Sequence, residues 1–233
     1  MKLELNTVYN VDCKELMQEM IKQGIKADWL ITDPPYGTKA GGIGRKGYER
    51  DWVGEKAKRR TYDFVEWDNK RIDKEYFDLL FACSNNQLIF GGNYYTDILP
   101  PTANWAIWDK RCSDFAGTLS FADCEMAWVS TGGGRIFKYL YNGMMQGDLK
   151  NKDDRFHPTQ KPTQLWYKLL NFYTKPNDLI LDPFMGSFTT AVCCAKSGRR
   201  FIGAELDKKY FEKGQERLRE ATAQVSIFDL GEQ

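Results

Sequence analysis

Short apolar runs alternate with amphipathic stretches along most of this chain. Residues 27–32 (ADWLIT) form an apolar run closed by Asp33, which suits a buried strand. Before it, residues 14–22 place Leu16, Met17, Met20 and Ile21 on one helical face, with Asp12 positioned to cap that helix. Further strands are expected at 87–90, closing in Gly91-Gly92, and at 104–108, 125–129, 178–181 and 200–204. Helices are expected over 188–196, over 207–221, and after Pro162, where Leu165, Trp166, Leu169 and Leu170 share one side. Strands alternating with helices predict an α/β fold: a mainly parallel twisted sheet with helices on both faces.

Two segments break the pattern. Residues 37–71 carry 10 basic and 6 acidic side chains among glycines and five aromatic residues, Tyr48, Trp52, Tyr62, Phe64 and Trp67. Local positive charge interleaved with rings suits an inserted mobile loop that faces nucleic acid, with Arg45, Lys46, Arg59 and Arg60 as phosphate contacts. A solvated surface loop is the plainer alternative. Residues 131–156 have weak periodicity and read as a short insertion carrying Arg135, a further DNA-contact candidate. At 233 residues the remainder makes one catalytic domain.

Charge and composition narrow the chemistry. The formal net charge of +1 gives no bulk attraction to a polyanion, so any nucleic-acid contact must come from local patches. The chain has six cysteines without a Cys-x-x-Cys pair and a single histidine, so no metal site is expected and the thiols read as reduced. No run of about 18 apolar residues offers a membrane span, and the first ten residues lack the apolar core of an export signal. A cytoplasmic protein is expected.

Three acidic residues directly follow expected strands: Asp33, Asp182 and Glu205. In open parallel sheets the ligand crevice lies beyond the carboxyl ends of the strands, so these stand where chemistry happens. At Asp33-Pro34-Pro35-Tyr36, two prolines fix the backbone and remove two amide donors. The corner therefore offers acceptors, the Asp33 carboxylate and the Pro34 carbonyl, beside the Tyr36 ring, and suits a flat ligand bearing an amino group. The stretch from Asp182 through Phe184 and Gly186 to Ser187 leads into a helix and reads as a cofactor loop, with Glu205 at ribose-binding distance 19 residues after Gly186. A carboxylate at that loop repels a pyrophosphate and attracts a cation or an amino group, which favours S-adenosylmethionine over NAD and disfavours an oxidoreductase. His157-Pro158-Thr159-Gln160-Lys161-Pro162 opens a helix with groups able to hold a carboxylate.

These motifs together resemble the β class of DNA amino-methyltransferases, the adenine N6 and cytosine N4 family in which the catalytic tetrad precedes the cofactor loop. The likeness runs in order over roughly residues 8–220. It implies a Rossmann-like methyltransferase fold, S-adenosylmethionine as cofactor, and double-stranded DNA as substrate. A dimer and a place in restriction-modification also occur in that family. The tetrad Asp33, Pro34, Pro35 and Tyr36 would be catalytic. Asp12 and Cys13 would meet the cofactor's adenine, and Glu205 with Leu206 its ribose. Asp182, Thr159 and Lys161 would sit around its methionine end, and Asp33, His157, Phe184, Gly186 and Ser187 would also bind the cofactor. The initial aspartate of the tetrad implies adenine N6, with cytosine N4 and a non-catalytic DNA-binding module as alternatives. One departure stands out: the family loop commonly reads Phe-x-Gly-x-Gly, and its last glycine is Phe188 here. That side chain must point away from the cofactor, or the loop must shift.

Overall fold

The computed structural model describes residues 1–37, 70–111, 122–142, 145–147, 153, 155–157 and 159–229. Eight strands form one sheet. In chain order they are β1 (Thr7–Tyr9), β2 (Ala27–Thr32), β3 (Ser84–Phe90), β4 (Trp105–Asp109), β5 (Cys124–Val129), β6 (Arg135–Lys138), β9 (Leu179–Asp182) and β10 (Arg200–Ala204). Between β6 and β9 a small separate hairpin pairs β7 (Tyr141–Asn142) with β8 (Met145–Gln146). The sheet order is β1-β10-β9-β2-β3-β5-β4-β6, and β5 alone runs against the others. The α/β fold with a mainly parallel sheet is therefore as expected.

Alternation along the strands feeds two cores, one on each face. Leu30, Ile89, Leu181 and Ile202 face α1 (Cys13–Lys22) and α2 (Lys74–Ala82). Ile31, Leu88, Phe90, Ile180 and Phe201 face α3 (Thr163–Tyr173) and α4 (Thr189–Lys196), with Leu218 and Ala221 of α5 (Lys208–Asp229) packed into the same core. Burial on both faces is why these strands read as continuous apolar runs.

Within the segment 131–156, read from its weak periodicity as an insertion, β6 extends the sheet edge in parallel register with β4. The period-2 signal is masked at this edge: Phe137 is buried, while Ile136 is 65% exposed.

β9 lies between β10 and β2, and the chain leaves these neighbours in opposite directions, β9 to β10 and β2 to β3. The carboxyl ends of β9 and β2 therefore flank a topological switch point, the place where open α/β sheets hold ligands. Asp182 ends one of these strands and Asp33 follows the other.

Candidate active site

A cavity of about 710 Å³ opens at that switch point. This falls within the range of small-molecule sites. Asp12, Cys13, Asp33, Pro35, His157, Thr159, Lys161, Asp182, Phe184, Gly186, Ser187, Glu205 and Leu206 all line it. Five separate stretches of sequence are thus brought to one crevice, and every candidate cofactor residue stands on its wall. Pro34 and Tyr36 lie outside that lining.

The loop after β9 is tied down at each step. Asp182 accepts hydrogen bonds from Thr32 Oγ1 at 2.7 Å, from the Phe184 amide at 3.2 Å and from Thr190 Oγ1 at 2.5 Å. This buried carboxylate so joins β2, its own loop and α4. Desolvation nevertheless lifts its pKa to about 6. The Gly186 amide donates to Glu205 Oε2 at 2.7 Å, and the Asp207 amide donates to Glu205 Oε1 at 2.8 Å. Burial of Glu205 outweighs both bonds and pushes its pKa up to about 7.

Phe188 is fully buried and adopts a left-handed backbone, φ 62°. Its ring turns away from the cavity, meets Phe211 edge-on and fills the space above Gly214 of α5. The side chain therefore points away, as one of the two expected outcomes. Gly214, a glycine inside a helix, supplies the slot, and this pairing across 26 residues carries no sequence signal.

Asp12 caps α1 by accepting from the Lys14 amide at 2.8 Å. Cys13 beside it is a protonated thiol, its pKa pushed up to about 12 by burial and by the Asp12 charge. His157 packs against Tyr210, with ring centroids 4.3 Å apart, beneath Gly186. Desolvation, reinforced by Lys161, lowers its pKa to about 4, so the imidazole is neutral. The Thr159 amide donates to its Nδ1 at 3.3 Å.

The proline corner is clamped from several sides. Pro34 is buried, and the Tyr95 hydroxyl donates to the Pro35 carbonyl. The Tyr36 ring lies where a side chain at Gly91 would be, and it stacks on Tyr94 with centroids 4.9 Å apart. Its hydroxyl donates to Asp33 Oδ1. A backbone bridge joins Tyr36 to Arg71, whose side chain pairs with Asp97 and donates to the Tyr94 carbonyl at 2.7 Å.

Lys161 stands on the cavity wall and is tied to the proline corner. Its ammonium lies 2.6 Å from Asp33 Oδ2 and 3.1 Å from Glu125 Oε2. Glu125 also pairs with Lys110. A row of alternating charges thus runs from β2 to the β4–β5 edge. Burial raises the Asp33 pKa against the pull of Lys161. Sequence reasoning missed Glu125, whose signal is a lone charge within the otherwise apolar run of β5.

The DNA candidates fare differently. Arg45, Lys46, Arg59 and Arg60 lie outside the described residues. Arg135 is not brought to the cavity. It starts β6 opposite Ala106, toward the amino end of β4, and its guanidinium lies over Phe172 at 5.4 Å. The crevice lies at the carboxyl ends of the interior strands β9 and β2, away from the edge strand that carries Arg135. Among the described residues no group of His, Cys, Asp and Glu could hold a metal ion, and no helix is long and apolar enough to cross a membrane.

The DNA methylase family profile matches residues 100–216, half of the chain. The type II methyltransferase M.HinfI of Haemophilus influenzae is 30% identical across 97% of this chain and 72% of its own length. The chain belongs to the N6/N4 DNA methylase family. M1.MboII of Moraxella bovis, another type II methyltransferase, is 23% identical over 89% of this chain and 94% of its own length. A solved complex of M1.HpyAVI with SAM superposes with a TM-score of 0.59 at 25% identity, covering 91% of this chain and 99% of that one. The cytosine-N4-specific PvuII DNA methyltransferase shares the fold at 13% identity, with a TM-score of 0.53 over 94% of this chain and 92% of that one.

Proposed function

We propose that this member of the family transfers a methyl group from S-adenosylmethionine to the N6 amine of an adenine swung out of double-stranded DNA. One observation carries the reading: the Asp33 carboxylate of the proline corner and the loop from Asp182 to Ser187 line a single cavity at the switch point. Adenine is favoured by the initial aspartate of the tetrad. It is also favoured by a 47% identical stretch of 62 residues, 27% of this chain, shared with the Escherichia coli protein named DNA adenine methyltransferase YhdJ and covering 21% of it.

The cavity suits the cofactor. Gly186 has φ 53° and presents open backbone, Glu205 stands 2.7 Å from the Gly186 amide where ribose hydroxyls would bind, and Asp182 disfavours a pyrophosphate. When bound, the cofactor supplies an electrophilic methyl on a sulfonium. The chain's residues do the rest. Asp12 and Cys13 would flank the adenine of the cofactor, Leu206 its ribose, and Thr159 and Phe184 its methionine end. Asp33 and the Pro34 carbonyl would take the two amino hydrogens of the target, turning the nitrogen lone pair toward that methyl. As the new N–C bond forms and the S–C bond breaks, the bonding pair stays on sulfur and one N–H proton leaves through Asp33. Positioning and preorganised charge dominate such a site. Swinging the base out of the duplex exposes the amine.

The test is methylation of mixed-sequence DNA followed by sequencing of modified bases. Methyl marks on adenine N6 in one short context are expected; marks on cytosine N4 would move the chain to the other branch, and none would defeat the reading. Asp33→Asn should lower kcat about 10²- to 10³-fold, the usual cost of one transition-state partner. Cofactor affinity by calorimetry should stay within about threefold of the parent, since the variant keeps the shape of the wall.

A further inference from the structure

Lys161 is the buried charge whose role the methyl-transfer scheme leaves open. Its ammonium and the Asp33 carboxylate both line the cavity, 2.6 Å apart, and both are largely buried, at 8% and 18% side-chain exposure. Side by side they present one acceptor and one donor. The edge of adenine presents the complement, an N6 amine that donates and, next to it, a ring N1 that accepts. Cytosine presents the same pair as N4 and N3. Guanine and thymine present the reverse, a carbonyl oxygen beside a ring N–H. A flipped base is read through hydrogen bonds to this edge.

Lys161 can serve there only if it is held when the base takes over Asp33. Glu125 provides that hold. Its Oε2 lies 3.1 Å from the Lys161 ammonium, yet it accepts no aligned hydrogen bond among the described residues. Lys110 pairs with the other oxygen and fixes the Glu125 carboxylate from behind. The Phe90 ring lies 5.2 Å from the Lys161 ammonium and adds a cation–π contact. With Asp33 withdrawn to the target amine, the ammonium keeps Glu125 and turns one N–H toward the incoming base.

Resting on the functional reading above, we infer that Lys161 is the residue that selects the target base. It donates to the ring nitrogen adjacent to the target amine, adenine N1, while Glu125 anchors it from β5. Glu125 is a positioning residue in this arrangement, and the pair admits adenine or cytosine while rejecting guanine and thymine.

Deleting the acceptor from the base tests this. Duplexes carrying the methylated site would hold adenine, 1-deazaadenine or 7-deazaadenine at the target. Both kcat/KM and the dissociation constant with S-adenosylhomocysteine would be measured. The parent protein should lose about 10- to 100-fold on 1-deazaadenine and keep 7-deazaadenine within about threefold. Lys161→Met should be slow on adenine and lose nothing further on 1-deazaadenine. Glu125→Gln, a milder change, should show a smaller loss on adenine and a reduced 1-deaza penalty. Full activity of the parent on 1-deazaadenine would overturn the inference, as would an undiminished 1-deaza penalty in Lys161→Met. Should that variant fail to fold, an undiminished penalty in Glu125→Gln would overturn it equally. Absence of any DNA methylation by the parent would instead defeat the functional reading, and the inference with it.

Discussion

Glu205 takes the Gly186 and Asp207 amides on its two oxygens, yet burial still lifts its pKa to about 7. Near neutrality the carboxyl is therefore about half protonated in the free protein. A protonated carboxyl has lost acceptor capacity, so ribose hydroxyls select the ionised form. Cofactor binding should then release a proton, and affinity should weaken as pH falls below about 7, at most tenfold per unit. Calorimetry with S-adenosylmethionine at pH 6 and pH 8 reads this directly. Glu205→Gln should lower the affinity at pH 8 by about tenfold, the worth of a charge-assisted hydrogen bond. It should also remove the part of the pH dependence that belongs to this side chain. Any dependence due to the donor's own amino group would persist in the variant, which separates the two. An unchanged pH profile would deny Glu205 its ribose role.

The cofactor loop is held to α5 by a side chain that the sequence marks only as a departure. Phe188 sits in the left-handed region, a conformation that costs a residue with a Cβ about 1–2 kcal/mol. Its buried ring offsets this by packing over Gly214, where a Cβ would fall inside the ring. Gly214→Ala should therefore destabilise the protein by about 1–3 kcal/mol through overpacking, although alanine is the better helix former. In a Phe188→Gly background the clash is gone and the left-handed position has its ideal residue. There the same Gly214→Ala change should stabilise by about 1 kcal/mol. Urea unfolding of the four proteins in this cycle checks the reversal of sign. No local pattern announces such a pair, because its two members meet only once the loop and helix are packed. The opposite holds for β2 and β10, whose buried apolar runs with an acidic residue after each were fully legible at 27–32 and 200–204. β1 is only three residues long, α2 buries just Phe77 and Leu80, and β6 has one face open to solvent, so their periodicities were too weak to read. In the site, Asp33, Asp182 and Glu205 were legible because they end strands. Glu125 was not, because it enters from a strand running the other way.

Across the whole molecule, the groups gathered at the switch point have proton affinities out of step with the unfolded chain, and they pull stability in opposite directions. Asp182 and Glu205 have folded pKa values raised to about 6 and about 7. The native state keeps protons that the unfolded chain has released, so each contributes stability at low pH that is lost as pH rises through those values. His157 behaves inversely, with its pKa lowered from 6.5 to about 4. The unfolded chain takes up a proton that the native state refuses, so this contribution is present above about 6.5 and lost as pH falls toward 4. Full expression of any one of the three amounts to about 3 kcal/mol. Between pH 8 and pH 5.5 each is only partly expressed: Glu205 gains about 2 kcal/mol, Asp182 gains about 1, and His157 loses about 1.5. These three groups should therefore make the cofactor-free protein about 1.5 kcal/mol more stable near pH 5.5 than near pH 8, and the raised Asp33 carboxyl pulls the same way. The lowered carboxylates Glu19, Asp97, Asp109 and Glu125 titrate below this window and leave the difference alone. Glu205→Gln removes the Glu205 gain, so the difference should move by about 2 kcal/mol in favour of pH 8. Urea midpoints at the two pH values, for both proteins, decide it. A parent protein that is less stable at pH 5.5 would mean that solvent reaches Glu205 and Asp182, and that the crevice holding them is wetter than its packing implies.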